Sequence, residues 1–133
     1  MTTYAKLQLK GLEDYLEAIQ QAGLDIDAAS QRALRKGGAV LEAEMDRLVP
    51  VDLGNLKANI EIVGPFQEGN FSYVDVGVIH ADAETAIYGN VQEYGSPSKH
   101  INAQPYIRPA IDGKASAVKR AIRDSLKAEG MVD

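Results

Sequence analysis

The sequence predicts an α+β fold, in which two long amphipathic helices pack on one face of a small antiparallel sheet, with short helices in addition. Apolar or small residues recur at three- and four-residue spacing over about residues 25–48 and 106–128, as on the buried face of a helix. Between these segments, residues 71–78 alternate polar and apolar side chains, which is typical of a half-buried strand. Strands with one apolar face need cover on one side only, so we place both helices on that side.

Length and composition indicate one domain over residues 1–133. The chain is 45% hydrophobic and 25% charged, as is usual for globular proteins. We find neither an apolar run long enough to span a membrane nor a signal-peptide pattern, and we therefore expect a soluble protein made in the cytoplasm, without a membrane partner. The chain has no cysteine, which excludes disulfides, cysteine-ligated zinc and thiol nucleophiles.

The first half of the chain contains a predicted strand and two predicted helices. Residues 6–10 alternate and predict a short strand, and residues 12–22 predict a short helix that Gly23 ends. In the long helix over about 25–48, Asp25 or Asp27 can cap the start, and Pro50 ends it. The pair Gly37-Gly38 lies mid-helix, where glycine is unfavourable, and so predicts close packing against another element.

The second half predicts a hairpin and two helices. Residues 60–63 and 71–78 form the strands, and the turn between them includes Gly64-Pro65 and residues 67–70. Residues 84–94 predict a short helix with Ile87, Val91 and Tyr94 on its apolar face. Residues 95–99 predict a mobile loop. The last helix, 106–128, begins among prolines, which its first turn tolerates.

No arrangement of residues predicts catalysis or a cofactor. The two histidines, His80 and His100, have no neighbouring glycine-framed serine, and phosphate-binding glycine patterns are missing. On a strand, His80, Asp82 and Glu84 would share a face, as metal ligands or, alternatively, as an ordinary solvated acidic loop. Glu42, Glu44 and Asp46 have the spacing of surface charges on the long helix. We therefore expect no enzyme, no metal and no cofactor.

The net charge of −5 is unevenly distributed, because residues 99–127 carry +5 and the rest of the chain −10. An acidic and a basic surface on one small protein can attract each other between copies, although the basic residues also fit an ordinary solvated helix face. DNA binding through the last helix is a further alternative. Against it, the sequence pI is about 5.0 and no aromatic residue lies among the basic ones. We expect no sequence-specific nucleic-acid binding.

Three motifs, in order along the chain, are more specific. They read LVPVDLGNL at 48–56, IYGNVQEYG at 87–95 and AQPYIRPAI at 103–111. Together they resemble the bacteriophage minor tail component family, whose pattern is approximately V-P-V-D-T-G-N-L, then Y-A-x-x-V-E-F-G-T, then A-x-P-F-L-R-P-A-L. The resemblance covers most of residues 25–128. This chain departs from the pattern in having Leu53 for threonine, Gly89 for alanine, Tyr94 for phenylalanine and Ser96 for threonine.

We expect mostly structural roles for the motif residues. Asp52 would close the turn after Pro50, and Gly54 would adopt a positive φ. Arg108 would form an ion pair with Asp52, with Glu93 or with a carboxylate of a neighbouring copy. The predicted structural residues are Pro50, Asp52, Gly54, Asn55, Leu56, Gly95, Pro105, Arg108 and Pro109.

The resemblance implies a virion protein of a long-tailed phage or prophage, made in the host cytoplasm, that completes the tail and joins it to the head. It would form a homo-oligomeric ring at the head–tail junction, with six-fold symmetry as one option. Its other partners would be the tail tube protein and a head-closure or connector protein. The alternative is head closure on the portal side. Candidate interface residues are Ser96, Pro97, Lys99, His100, Arg108, Lys119, Arg120, Arg123 and Lys127.

Overall fold

A computed structural model describes residues 3–9, 26–50, 53–69 and 71–131. These residues form three strands and four α-helices, which confirms the α+β class. In chain order the elements are β1 (Thr3–Leu9), α1 (Ile26–Leu48), α2 (Gly54–Ala58), β2 (Ile60–Glu68), β3 (Phe71–Val78), α3 (Ala83–Tyr94), a 3₁₀ turn (Pro97–Lys99) and α4 (Arg108–Ala128). The predicted helix over 12–22, and the predicted capping roles of Asp25 and Asp52, lie outside the described residues.

The sheet has the order β1-β3-β2, and both pairings are antiparallel. Val74, Val76 and Val78 of the central strand are buried beneath the helices, as their alternation predicts. Opposite Val76, the register places Ala5 of β1 and Ile62 of β2, so apolar side chains of all three strands share this face. The sheet therefore buries one face against the helix layer.

The predicted turn at Gly64-Pro65 is wrong, because β2 continues through both residues to Glu68. The register shifts between Val63 and Phe66, which marks a β-bulge, and the Gly64–Pro65 peptide bond is cis. Proline lacks a backbone donor but is tolerated at a bulge on an edge strand, and β2 is such a strand within the described sheet. The strand connection is correspondingly tight, since Glu68 already pairs with Phe71.

Gly37 and Gly38 lie where α1 meets both α4 and the sheet, which confirms the predicted close packing. A Cβ atom on Gly37 would lie 2.9 Å from Ile122 Cγ1 of α4 and 3.0 Å from Leu7 Cδ2 of β1. A Cβ atom on Gly38 would lie 3.4 Å from a methyl group of Val74. Because Ile122 and Leu7 meet at the same glycine, α4 lies on the β1 side of α1.

The positive φ predicted for Gly54 is wrong. Gly54 begins the one-turn helix α2, which the sequence analysis missed, and it is not among the described glycines with positive φ. The Leu53 amide donates to the Pro50 carbonyl (3.0 Å), and the Lys57 amide then donates to Leu53 (3.0 Å). This turn leads directly into helical geometry, so no left-handed residue is needed.

Among the described residues, no helix is both long and apolar enough to cross a membrane.

Candidate interaction surface

The three sequence motifs meet around Gly89 of α3. A Cβ atom there would lie 3.0 Å from the Tyr106 hydroxyl oxygen and 3.1 Å from Leu56 Cδ1, so all three motifs contribute one residue to this contact. The Tyr106 hydroxyl donates to the Gly89 carbonyl at 3.3 Å, and Tyr106 is fully buried. Burial, and secondarily the nearby Glu93, raises the pKa of Tyr106, which keeps the phenol neutral as a donor.

Glu93 of α3 caps the start of α4. Its Oε1 accepts hydrogen bonds from the backbone amides of Tyr106 (3.0 Å) and Ile107 (2.7 Å), and its Oε2 accepts one from the amide of Arg108 (3.2 Å). Glu93 is only 1% exposed. The first amides of a helix have no partner within it, and Ile107, at the cap position, provides no side-chain hydrogen bond. One buried carboxylate therefore satisfies donors that α4 cannot satisfy itself.

This role explains which side of α3 is buried. Ile87, Val91 and Tyr94 share a face of the predicted helix, but that face is not the buried one, since Ile87 is 52% exposed and Tyr94 is 59% exposed. The buried residues of the helix are instead Thr85, Ala86, Gly89 and Glu93. With Glu93 directed at α4 and Gly89 against Tyr106, the apolar side of α3 turns outward.

Arg108 extends this arrangement to the surface. Its Nε lies 3.5 Å from Glu93 Oε2, so it pairs with one of the three carboxylates we expected. Its guanidinium carbon lies 5.8 Å from the centre of the Tyr94 ring, which is within cation–π range. The side chain itself is 65% exposed. The buried carboxylate of Glu93 and the exposed ring of Tyr94 thus both contact the Arg108 side chain and orient it.

Five exposed apolar side chains lie on α3 and next to it, and we call them the α3 surface: Ile87, Tyr88, Tyr94, Ile101 and Ile111. Ile111 follows Arg108 by one turn of α4, and Arg108 contacts Tyr94, so Tyr94 and Ile111 are linked across the two helices through Arg108. Aromatic residues and arginine are enriched at the energetic centres of protein interfaces. Arg108 was among the predicted interface residues, whereas none of the five residues of the α3 surface was.

The loop after α3 is closed by its own backbone. Ser96 and Ile101 exchange two hydrogen bonds, of 2.9 and 3.0 Å, around the 3₁₀ turn that contains Pro97 and Lys99. His100 adopts a left-handed conformation at φ 55°, and Gly95 has φ 76°. A Cβ atom on Gly95 would lie 2.9 Å from the Ile101 carbonyl oxygen, so this position requires glycine. The predicted interface residues of this loop are therefore presented on a defined turn beside the α3 surface.

A family model described as Bacteriophage HK97-gp10, tail-component, matches residues 10–95. The chain belongs to this family. The match spans more than half of the chain and includes the first two motifs, whereas the third motif lies beyond it. Searches of the curated proteins and of the solved structures gave no match. The resemblance found in the sequence motifs is thereby confirmed at the level of the family, and this tail component is a phage structural protein.

The remaining motif residues of this tail component are mostly structural. Leu56 is buried in the core, and the Asn55 carbonyl accepts a hydrogen bond from the Asn59 side chain (2.7 Å). Pro50 follows the end of α1 directly. Pro109 lies in the first turn of α4, as predicted, and Pro105 precedes it.

The three residues considered as alternative metal ligands, His80, Asp82 and Glu84, do not converge. His80 Nδ1 lies 2.7 Å from Glu61 Oε1, whereas Asp82 accepts a hydrogen bond from the Thr85 amide (2.7 Å) and caps α3. Glu84 is exposed in the first turn of that helix. Within the described part of the chain, no three His, Cys, Asp or Glu side chains are grouped so that they could hold a metal ion. The cap also lowers the pKa of Asp82, because the amide hydrogen bond favours the carboxylate.

The sequence analysis missed Glu93, although one signal pointed to it. Residues 103–107, directly before α4, include no Ser, Thr, Asp or Asn that could cap it, and Pro105 and Pro109 fix the backbone on either side of the helix start. A helix that begins without a cap of its own needs an acceptor from elsewhere. Glu93, in the motif immediately preceding, was the acidic residue available in that motif.

Proposed function

We propose that this tail component completes the tail and joins it to the head as a ring of identical copies at the head–tail junction. Family membership supports the tail-related structural role. The observation that carries the finer proposal is the α3 surface, because a joining protein acts by recognition and needs an exposed surface held in a fixed geometry. The ring's neighbours would be the tail tube protein on one side and a head-closure or connector protein on the other.

The energetics of the α3 surface support docking to another protein. Tyr88 is 56% exposed and Tyr94 is 59% exposed, and burying such aromatic groups on contact is strongly favourable. Lys99 and Arg108 add positive charge at its edge, which would select a partner segment that carries acidic residues near apolar ones. Because Glu93 and Tyr106 hold α3 from below, little ordering would be needed on binding.

The first experiment is immunogold electron microscopy on particles from an induced source strain. We expect gold at the head–tail junction, and its position on the tail side or on the portal side separates tail completion from head closure. Protein missing from the particles, or located elsewhere along the tail, would contradict the proposal.

A matched pair of variants tests the surface itself. Ile87→Ser with Tyr88→Ser removes apolar area from the α3 surface, whereas Phe66→Ser, at a residue that is 40% exposed on the sheet, is the control. We expect both proteins to remain folded by circular dichroism. The α3 variant should leave heads and tails unjoined in a complementation assay, while the control joins them. Normal joining with the α3 variant would show that another surface is used.

A further inference from the structure

Two oppositely charged surfaces lie on the helix layer, away from the α3 surface. The outward side of α4 carries four exposed basic residues, which we call the basic stripe: Lys119, Arg120, Arg123 and Lys127. Glu42 and Asp46 of α1, together with Glu61 of β2, form what we call the acidic flank. Glu61 lies on the strand next to α1, since α1 packs against β2.

The acidic flank faces away from α4. Glu44 of α1 points towards α4, where its Oε2 lies 3.5 Å from Lys114 Nζ. Glu42 precedes Glu44 by two residues, which is about 200° around a helix, and Asp46 follows Glu42 by four residues, on the same side. The acidic flank and the basic stripe therefore lie at opposite edges of the two-helix layer.

The carboxylates of the acidic flank are crowded. Partial burial raises the pKa of Glu42, and the negative charges of Asp46 and Glu61 raise it further, while Arg35 opposes them. Burial likewise raises the pKa of Asp46, and Lys57 opposes that shift. Cationic groups arriving from outside would relieve this repulsion.

The local basic groups are already engaged. Arg35 donates to the carbonyl of Gly64, and His80 Nδ1 lies 2.7 Å from Glu61 Oε1. Lys57 is exposed on α2 and acts on Asp46. The acidic flank thus has basic groups beside it but retains two carboxylates, Glu42 and Asp46, whose pKa values are raised, and a basic surface of another molecule fits it.

We propose that the basic stripe of one copy docks on the acidic flank of the next copy. This contact would join the subunits of the ring and thus rests on the proposed function. Self-pairing of either surface would bring like charges together, whereas pairing stripe with flank brings opposite charges together. Because the two surfaces lie at opposite edges, each contact leaves one stripe and one flank free for further copies. Such a heterologous contact closes into a ring when the rotation fits.

Charge-reversed variants test this pairing. Variant one carries Lys119→Glu, Arg120→Glu, Arg123→Glu and Lys127→Glu, and variant two carries Glu42→Lys, Asp46→Lys and Glu61→Lys. Each alone presents surfaces of a single sign and should self-associate about 10-fold or more weakly than the wild type in sedimentation velocity at low salt. An equimolar mixture should recover association, because the reversed stripe fits the reversed flank. Lys36→Glu, at an exposed position of α1 outside both surfaces, is the control and should behave as the wild type.

Several outcomes would overturn the contact. The contact would be contradicted if the mixture failed to associate although both variants were folded by circular dichroism. It would also be contradicted if association of the wild type did not weaken with added salt. If the lysine substitutions unfold the protein, Glu42→Gln with Asp46→Asn takes their place and should weaken association by a smaller factor. Loss of binding to a DNA duplex in variant one, with association unchanged, would identify nucleic acid as the occupant of the stripe. The immunogold result is independent, so the ring's location and this contact can fail separately.

Discussion

Replacing Glu93 with alanine is expected to lower the free energy of unfolding by about 3–5 kcal/mol. The substitution removes the acceptors of three backbone amides, and two of them belong to the buried residues Tyr106 and Ile107. Each buried donor left without a partner costs about 1–3 kcal/mol, and the third amide, of exposed Arg108, can turn to water at a smaller cost. For a chain of this size the loss corresponds to a fall in Tm of about 10–20 °C.

The assay is urea unfolding followed by far-ultraviolet circular dichroism, with thermal unfolding as a second readout. Glu93→Gln keeps the size of the side chain and one acceptor oxygen, so we expect an intermediate loss. Glu84→Ala is the matched control, since it removes an exposed glutamate from the first turn of the same helix. It should cost about 1 kcal/mol or less. If Glu93→Ala were no more destabilising than this control, the amides would have other acceptors and the capping argument would be refuted.

Three further predictions concern the packing and the caps. Gly89→Ala should cost about 1–2 kcal/mol, because its Cβ would lie 3.0 Å from the Tyr106 hydroxyl oxygen. The cost should shrink in a Tyr106→Phe background, and additive losses in a double-mutant cycle would contradict the contact. Asp82 has a lowered pKa in the fold, so its stabilisation is present above the unfolded value of about 3.9 and disappears as pH falls through the folded value. Accordingly, the Tm advantage of wild type over Asp82→Ala should shrink between pH 6 and pH 3, and a constant difference would argue against the cap. Gly77→Ala should cost about 3 kcal/mol or more in thermal unfolding, because φ is 151° and the new Cβ would lie 2.6 Å from a β1 carbonyl oxygen; a normal Tm would contradict the β1–β3 register.

The long helices could be predicted closely because their signals are local. The apolar periodicity and the prolines placed them at about 25–48 and 106–128, and the structure has them at Ile26–Leu48 and Arg108–Ala128. The alternation in β3 likewise identified its buried face. These features depend on a residue's neighbours in sequence, which is the information that a single chain provides.

The errors arose where distant residues decide the local structure. The spacing of Ile87, Val91 and Tyr94 identifies an apolar face of α3 but not the side that is buried, because Glu93 faces inward to provide the acceptor that α4 needs and the apolar face is left exposed. Gly64-Pro65 has the composition of a turn, yet the bulge opposite β3 keeps it within a strand. In both cases a tertiary requirement overrode a preference that is correct for the isolated segment.

The orientation of α3 has a consequence for how such a protein can evolve. The residues that fix this helix in the fold are small or charged, such as Ala86, Gly89 and Glu93, and they are separate from those that it displays. Substitutions at Ile87, Tyr88 or Tyr94 remove little buried packing, so they can change which surface the helix recognises at little cost in folding. A subunit built in this way can adapt to a changed neighbour in the particle while its own scaffold stays the same.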